Sequence, residues 1–193
     1  MYIVGEFVET DISKVKELSK RKENENWEFR AFLKESDISS EETDRIVKEL
    51  YAAISLKIDC AKCANCCREM HPLLDDEDIE KLSAGSGLTA AQFKKQYLIK
   101  YEEYGKFAFK AKPCPFLENN RCKCYEYRPK DYQSYPHLNK DDFVFRLIEV
   151  VQSCSVCPTV FNVYERLKLM VWSGEAQNAH KPGSLKKVKR LCP

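Results

Sequence analysis

The stretch Cys60-Ala61-Lys62-Cys63-Ala64-Asn65-Cys66-Cys67 places four cysteines within eight residues. Cys60, Cys63 and Cys66 are each separated by two residues, so the chain can wrap until three sulfurs converge. Ferredoxin-type iron–sulfur ligation uses this spacing and takes its fourth cysteine from elsewhere. Zinc uses C-x-x-C pairs because a turn brings two thiolates into tetrahedral positions. Cysteines serving only as small hydrophobes have no reason to cluster so tightly. Cys67 adjoins Cys66, and adjacent side chains diverge in most backbone conformations. Either the pair feeds two metals, or two edges of a larger assembly, or one member is a bystander.

Working outward, Lys112-Pro113-Cys114-Pro115-Phe116-Leu117 and Arg121-Cys122-Lys123-Cys124 supply a second group of thiols. Glu118-Asn119-Asn120 between them reads as a tight turn joining two short strands. Cys114 and Cys122 then face each other across it and can serve the same site as the first run. The flanking prolines stiffen the backbone around Cys114. If residues 121 to 125 are a strand, Cys122 and Cys124 share a face. Cys154 and Cys157 make a further C-x-x-C pair beside a helix start, readable as a redox dithiol, with Cys154 alternatively a core or partly exposed thiol. Cys192 reads as a bystander in a terminal segment. His71 and His137 are candidate mixed ligands, with surface or capping roles as the alternative. His180 has no supporting neighbours. Asp75 to Asp78 read as helix-start residues rather than a catalytic pair.

The chain has 193 residues, 44% of them hydrophobic, which is enough for a core without crosslinks. Its formal net charge of +2 gives no electrostatic reason to expect nucleic acid or an anionic membrane. The basic residues Lys181, Lys186, Lys187, Lys189 and Arg190 read as a solvated tail. The first ten residues predict no secretory signal, and no apolar run is long enough to span a bilayer. The expected location is the cytoplasm, where thiols stay reduced and ten cysteines point to metal or redox chemistry rather than disulfides. No H-E-x-x-H, P-loop, dinucleotide fingerprint or G-x-S-x-G is present.

Residues 1–57 hold no cysteine and predict a helical segment packed on a cysteine-cluster domain at 58–193. Ser39 and Glu42 read as a capping box opening a helix at about 40–56, with Ile46, Val47, Leu50, Tyr51 and Ile54 at helical spacing. Asp75 or Asp76 caps a short helix carrying Ile79 and Leu82, closed by Gly85 and Gly87. Thr89 and Gln92 form another capping box, with Phe93 and Tyr97 one turn apart. Residues 107–112 alternate like a strand. Asp141 or Asp142 opens a helix with Phe143, Leu147, Val150 and Val151 on one side, a strand being the alternative. Pro158 suits the first turn of a last helix bearing Phe161, Tyr164, Leu167 and Val171. The expected fold is mainly α with a small β-hairpin element, a compact single domain organised around a cysteine-ligated metal site.

These residues resemble a known family. Cys60-Ala-Lys-Cys-Ala-Asn-Cys-Cys is similar to the C-x-x-C-x-x-C-C signature of the YkgJ-like cysteine-cluster proteins, a zinc- or iron-chelating domain. Cys114-Pro-Phe-Leu, Cys122 and Tyr125-Glu-Tyr-Arg-Pro129 resemble that family's later elements, and the match covers about residues 58 to 160. The resemblance implies a bacterial-type cytosolic metalloprotein. Some relatives are labelled iron–sulfur oxidoreductases, and flagellin lysine methylases carry a related cysteine pattern. It implies Cys60, Cys63, Cys66, Cys67, Cys114 and Cys122 as ligands, with Cys157 a further candidate. One departure stands out. Tyr132 and Gln133 occupy the positions where the family usually has Cys-Arg. Cys124 can replace the missing sulfur, or Tyr132 or Asp131 can offer oxygen to a harder ion.

Three functions follow: an iron–sulfur protein that moves electrons or activates a substrate, a zinc-stabilised interaction module, or a metal-dependent group-transfer enzyme related to the methylases. The cofactor expected is an iron–sulfur cluster or zinc. The partners expected are that metal and an unidentified protein or small molecule, with no nucleic acid and no membrane.

Overall fold

The computed structural model describes residues 7–70 and 72–172. Asp11 accepts the Ser13 and Lys14 amides and starts α1 (Ile12–Arg21), which α2 (Glu23–Glu35) follows. Ser39 accepts the Glu42 amide and opens α3 (Ser40–Ser55), but the expected capping box is only half formed, because the Glu42 carboxylate accepts from Arg45 instead. The cysteine run folds into two short helices, α4 (Cys60–Cys63) and α5 (Asn65–Glu69). Asp75 and Asp78 form a reciprocal capping box on α6 (Asp76–Gly85), and Thr89 and Gln92 form one on α7 (Ala90–Tyr97).

Two small antiparallel hairpins come next. β1 (Leu98–Tyr101) pairs with β2 (Lys106–Phe109), Leu98 opposite Phe109 and Tyr101 opposite Lys106. The expected strand at 107–112 thus starts one residue earlier and stops at Phe109, where pairing ends. β3 (Leu117–Glu118) pairs with β4 (Arg121–Cys122). Asn119 (φ 49°) and Asn120 (φ 63°) are both left-handed, as a two-residue hairpin turn demands, and asparagine tolerates that region well. After α8 (Lys130–Ser134), a 3-10 turn over Phe143–Arg146 leads into α9 (Leu147–Ser153), so the strand alternative here is excluded. Pro158 sits in the first turn of α10 (Pro158–Val171). None of the helices is long and apolar enough to cross a membrane among the described residues.

The apolar side chains gather into two clusters. The first joins Phe29 and Leu33 of α2 and Ile46, Leu50 and Ile54 of α3 to Leu147, Tyr164 and Leu167 of α9 and α10. These residues recur at three- and four-residue spacings, which puts them on one face of each helix. Phe29 meets the Tyr164 ring edge-on at 5.2 Å, and the Tyr164 hydroxyl donates to the Asn26 carbonyl at 3.0 Å. Lys168 is buried on α10, paired with Glu25 at 2.6 Å and Glu165 at 2.5 Å. The second cluster joins Leu74, Ile79, Leu82, Phe93, Leu98, Phe109 and Phe116 around the hairpins. The cysteine run is tied to both. Asn65 donates to the Val156 carbonyl at 2.8 Å on the helical side, and the Cys114 amide donates to the Cys67 carbonyl at 2.9 Å on the hairpin side.

Candidate metal centre

The Asp59 carboxylate accepts the Ala61 and Lys62 amides, which nucleates the single turn of α4 and puts Cys60 and Cys63 one turn apart. Ala64 then takes a left-handed conformation (φ 45°, ψ 18°), and its amide closes on the Cys60 carbonyl at 2.9 Å. This reversal redirects the chain into α5, whose first turn carries Cys66 and Cys67. Their sulfurs lie 4.0 Å apart. The Arg68 guanidinium donates to the Cys63 carbonyl at 2.7 Å and binds the side chain of Asn120 in the β3–β4 turn.

Cys157 reaches the run from the far end of the chain. It is the residue before Pro158, at the start of α10. Cys60, Cys63, Cys66 and Cys157 line one small cavity of about 40 Å³, with Tyr135 and Pro158 among its walls. Burial pushes the Cys157 thiol up, opposed by the Val160 and Thr159 amides at the head of the helix. Those amides favour the thiolate, the form a metal binds. Burial also pushes Cys60 up, reinforced by Cys63.

The second thiol group lies on the hairpin side. Cys114 and Cys122 pack against the second apolar cluster, and Cys124 belongs to it at 4% exposure. Burial raises the Cys114 thiol to about 11, opposed by the Phe116 amide; Cys67, Cys122 and Cys124 act on it as like charges. Burial likewise raises Cys122, opposed by the Cys124 amide, with Cys124 and Cys67 raising it further and Arg128 lowering it. Cys67 moves the other way from Cys66. Its hydrogen bond with the Cys66 thiol lowers it, helped by Arg128 and Arg68, while the same bond raises Cys66.

The structure therefore places Cys60, Cys63, Cys66 and Cys157 on one small cavity and Cys114, Cys122 and Cys124 at the hairpin cluster, with Cys67 acting electrostatically on Cys60, Cys114 and Cys122 alike. As the side chains stand, no three His, Cys, Asp or Glu groups among the described residues are placed to hold one metal ion. The donor chemistry nonetheless fits a thiophilic metal. The groups are thiols, and backbone amides offset the cost of ionising Cys157, Cys114 and Cys122.

Several expectations change. Cys122 and Cys124 do not share a strand, because β4 ends at Cys122 and the chain turns into a 3-10 segment at Tyr125. Cys124 still ends up beside Cys122 and Cys114. Cys154 fits the core-thiol reading. It lies in the helical core at 1% exposure, and its sulfur contacts the Val150 carbonyl of its own helix. His137 sits away from the cysteines, its Nδ1 2.9 Å from the Ser134 hydroxyl. His71, His180 and Cys192 lie outside the described residues. Tyr132 lies beside α5, its hydroxyl donating to the Met70 carbonyl at 3.0 Å and reaching the Cys66 carbonyl at 3.5 Å. Burial, then the charges of Cys66, Cys67, Cys114 and Cys122, push its phenol well above the usual range. Sequence reading missed Tyr135, which walls both the thiol cavity and an adjoining cavity of about 410 Å³. No spacing rule links Tyr135 to either.

A helical scaffold that gathers cysteines from four chain segments defines a thiol-rich metal-binding protein. Residues 59–158 match the CxxCxxCC family, described as a putative zinc- or iron-chelating domain, and the chain belongs to that family. No curated protein and no solved structure matches it.

Proposed function

We propose that the protein is an iron–sulfur protein whose cluster is held by Cys60, Cys63, Cys66 and Cys157. One observation carries this reading: three cysteines spaced by two residues line the same cavity as a remote cysteine followed by proline. Ferredoxin-type ligation has this pattern, three clustered thiolates plus a distant Cys-Pro. A cluster bound there supplies one-electron chemistry. The chain's own residues hold the four thiolates on short, separately anchored segments. Asn65 locks α5 to the Val156 carbonyl, and the Val160 and Thr159 amides favour the Cys157 thiolate. The adjoining cavity, walled by Tyr135 and Pro136 and edged by His137 and Arg146, gives a small molecule a place beside the cluster. Cys67, Cys114, Cys122 and Cys124 also serve as metal ligands in this reading.

The test is purification without oxygen, followed by iron and acid-labile sulfide analysis and visible spectroscopy. Iron and sulfide in comparable amounts, with a visible absorption that bleaches on reduction, is the expected result. Zinc in every thiol site, with no sulfide, would overturn the iron–sulfur assignment. It would favour a zinc-stabilised interaction module, which four closed thiolates also suit.

A further inference from the structure

We propose that the cavity of about 410 Å³ walled by Tyr135 binds an uncharged, largely apolar carbonyl compound, whose oxygen accepts a hydrogen bond from the Tyr135 hydroxyl. The inference deepens the proposed function and rests on its placing of a small molecule in this cavity.

The walls set the size and apolar character of the occupant. Met70 after α5, Leu73 before α6, Val150 of α9, Val156 beyond it and Val160 of α10 line one space. Its volume falls within the roughly 300–1,000 Å³ of pockets that take small organic molecules. An apolar ring placed there leaves water for aliphatic side chains, which is favourable in proportion to the area covered.

One polar group in the wall has no match inside the protein. The Tyr135 hydroxyl is buried and makes no hydrogen bond among the described residues. Ser153 and Cys157 are its polar neighbours, but neither closes a bond with it. Ser153 lines the large cavity and Cys157 the thiol cavity, so the hydroxyl sits at the divide between them. A buried donor without an acceptor is costly, and folded proteins keep few of them. A ligand carbonyl supplies the acceptor. His137 meets the Tyr135 ring edge-on at 5.9 Å, and its own carbonyl is tied down by Arg146 at 2.9 Å.

The charges of the wall disfavour an anion. Arg146 directs its guanidinium to the His137, Lys140 and Asp141 carbonyls at 2.9, 2.9 and 3.0 Å, which commits it to backbone. Asp131 and Glu149 stand exposed at the rim and repel a negative ligand. Carboxylates so open to water hold a cation only weakly, so the apolar walls and the buried hydroxyl decide the class.

The test is equilibrium dialysis of α-tetralone, a neutral bicyclic ketone, against protein purified without oxygen, with iron and sulfide measured on the same preparation. Tetralin (the same skeleton without oxygen), α-naphthoate and protonated α-aminotetralin are the comparisons. The ketone is expected to bind tighter than either charged probe. Tyr135→Phe is expected to weaken the ketone about tenfold without weakening tetralin. Leu73→Trp, which fills the cavity from its half-buried wall, should abolish both. Phe145→Ser, which removes an exposed ring outside the cavity, should change neither. Should Tyr135→Phe fail to fold, a wild-type co-crystal structure is expected to place the ketone oxygen within hydrogen-bonding distance of the Tyr135 hydroxyl. Absence of ketone binding, tighter binding of a charged probe, a Tyr135→Phe effect that is nil or equal for ketone and hydrocarbon, or binding that Phe145→Ser removes and Leu73→Trp spares would overturn the site. Failure to bind in protein that holds iron and sulfide leaves the iron–sulfur reading standing. Binding in protein with zinc and no sulfide supports the cavity and sinks that reading instead.

Discussion

Tyr132 stands where the family usually carries a cysteine, and removing only its hydroxyl decides what it does there. In Tyr132→Phe the ring stays and the hydrogen bond to the Met70 carbonyl, 3.0 Å long, is lost. A neutral hydrogen bond of this kind contributes about 1 kcal/mol net, rising towards about 3 kcal/mol if the carbonyl left behind cannot reach water. Met70 is only half-buried, so water can reclaim the carbonyl and the lower figure applies. For a chain of this size, about 1 kcal/mol lowers the melting temperature by about 2–4 °C. The phenol resists losing its proton, because burial and four neighbouring cysteines raise it. In the structure its hydroxyl donates to backbone. The assay pairs thermal unfolding of the metal-loaded variant with metal content per chain. A melting temperature a few degrees lower with unchanged metal is expected. Loss of metal from a variant that keeps its fold would refute the argument and make the tyrosine oxygen a ligand.

Asp44 is buried on α3 and accepts the Asp142 amide at 2.7 Å and the Phe143 amide at 2.9 Å, capping the turn that leads into α9. Asp44→Ala should cost about 2 kcal/mol in urea denaturation without changing metal content. Ala64→Val puts a β-branched residue at φ 45° between α4 and α5. It should cost about 1–2 kcal/mol and lower metal content per chain, because the reversal that aims Cys66 depends on it. Metal-free protein should lose stability as pH rises from about 9 towards about 11. The buried Cys114 thiol holds its proton more tightly folded than unfolded, so the unfolded chain binds fewer protons in that window. A flat alkaline stability profile for the metal-free protein would contradict this.

What could be read from the sequence was local. Ser39, Asp75 and Thr89 announce helix starts because a cap needs only its own side chain and an amide two or three residues on. Pro158 marks α10 for a similarly local reason, its fixed φ and missing amide. The Asn119-Asn120 hairpin is legible because both residues tolerate the left-handed conformation the turn requires. β1 was missed because Leu98–Tyr101 follows α7 without a break, and only pairing to β2 around left-handed Gly105 makes it a strand.

The same contrast explains the thiols. Spacing groups Cys60, Cys63 and Cys66, and all three line one small cavity. Spacing also groups Cys154 with Cys157. Both are buried in the helical core, and Cys157 alone of the two also lines the cavity beside the cysteine run, a difference that spacing does not carry. At Cys66 and Cys67 adjacency leaves open whether both sulfurs are used. The Cys67 carbonyl accepts the amide of Cys114, far away in sequence, a contact that no spacing rule announces. Candidate cysteines from four segments can be listed from sequence, but what brings the segments together depends on which core each one packs against. That is a property of the tertiary fold alone.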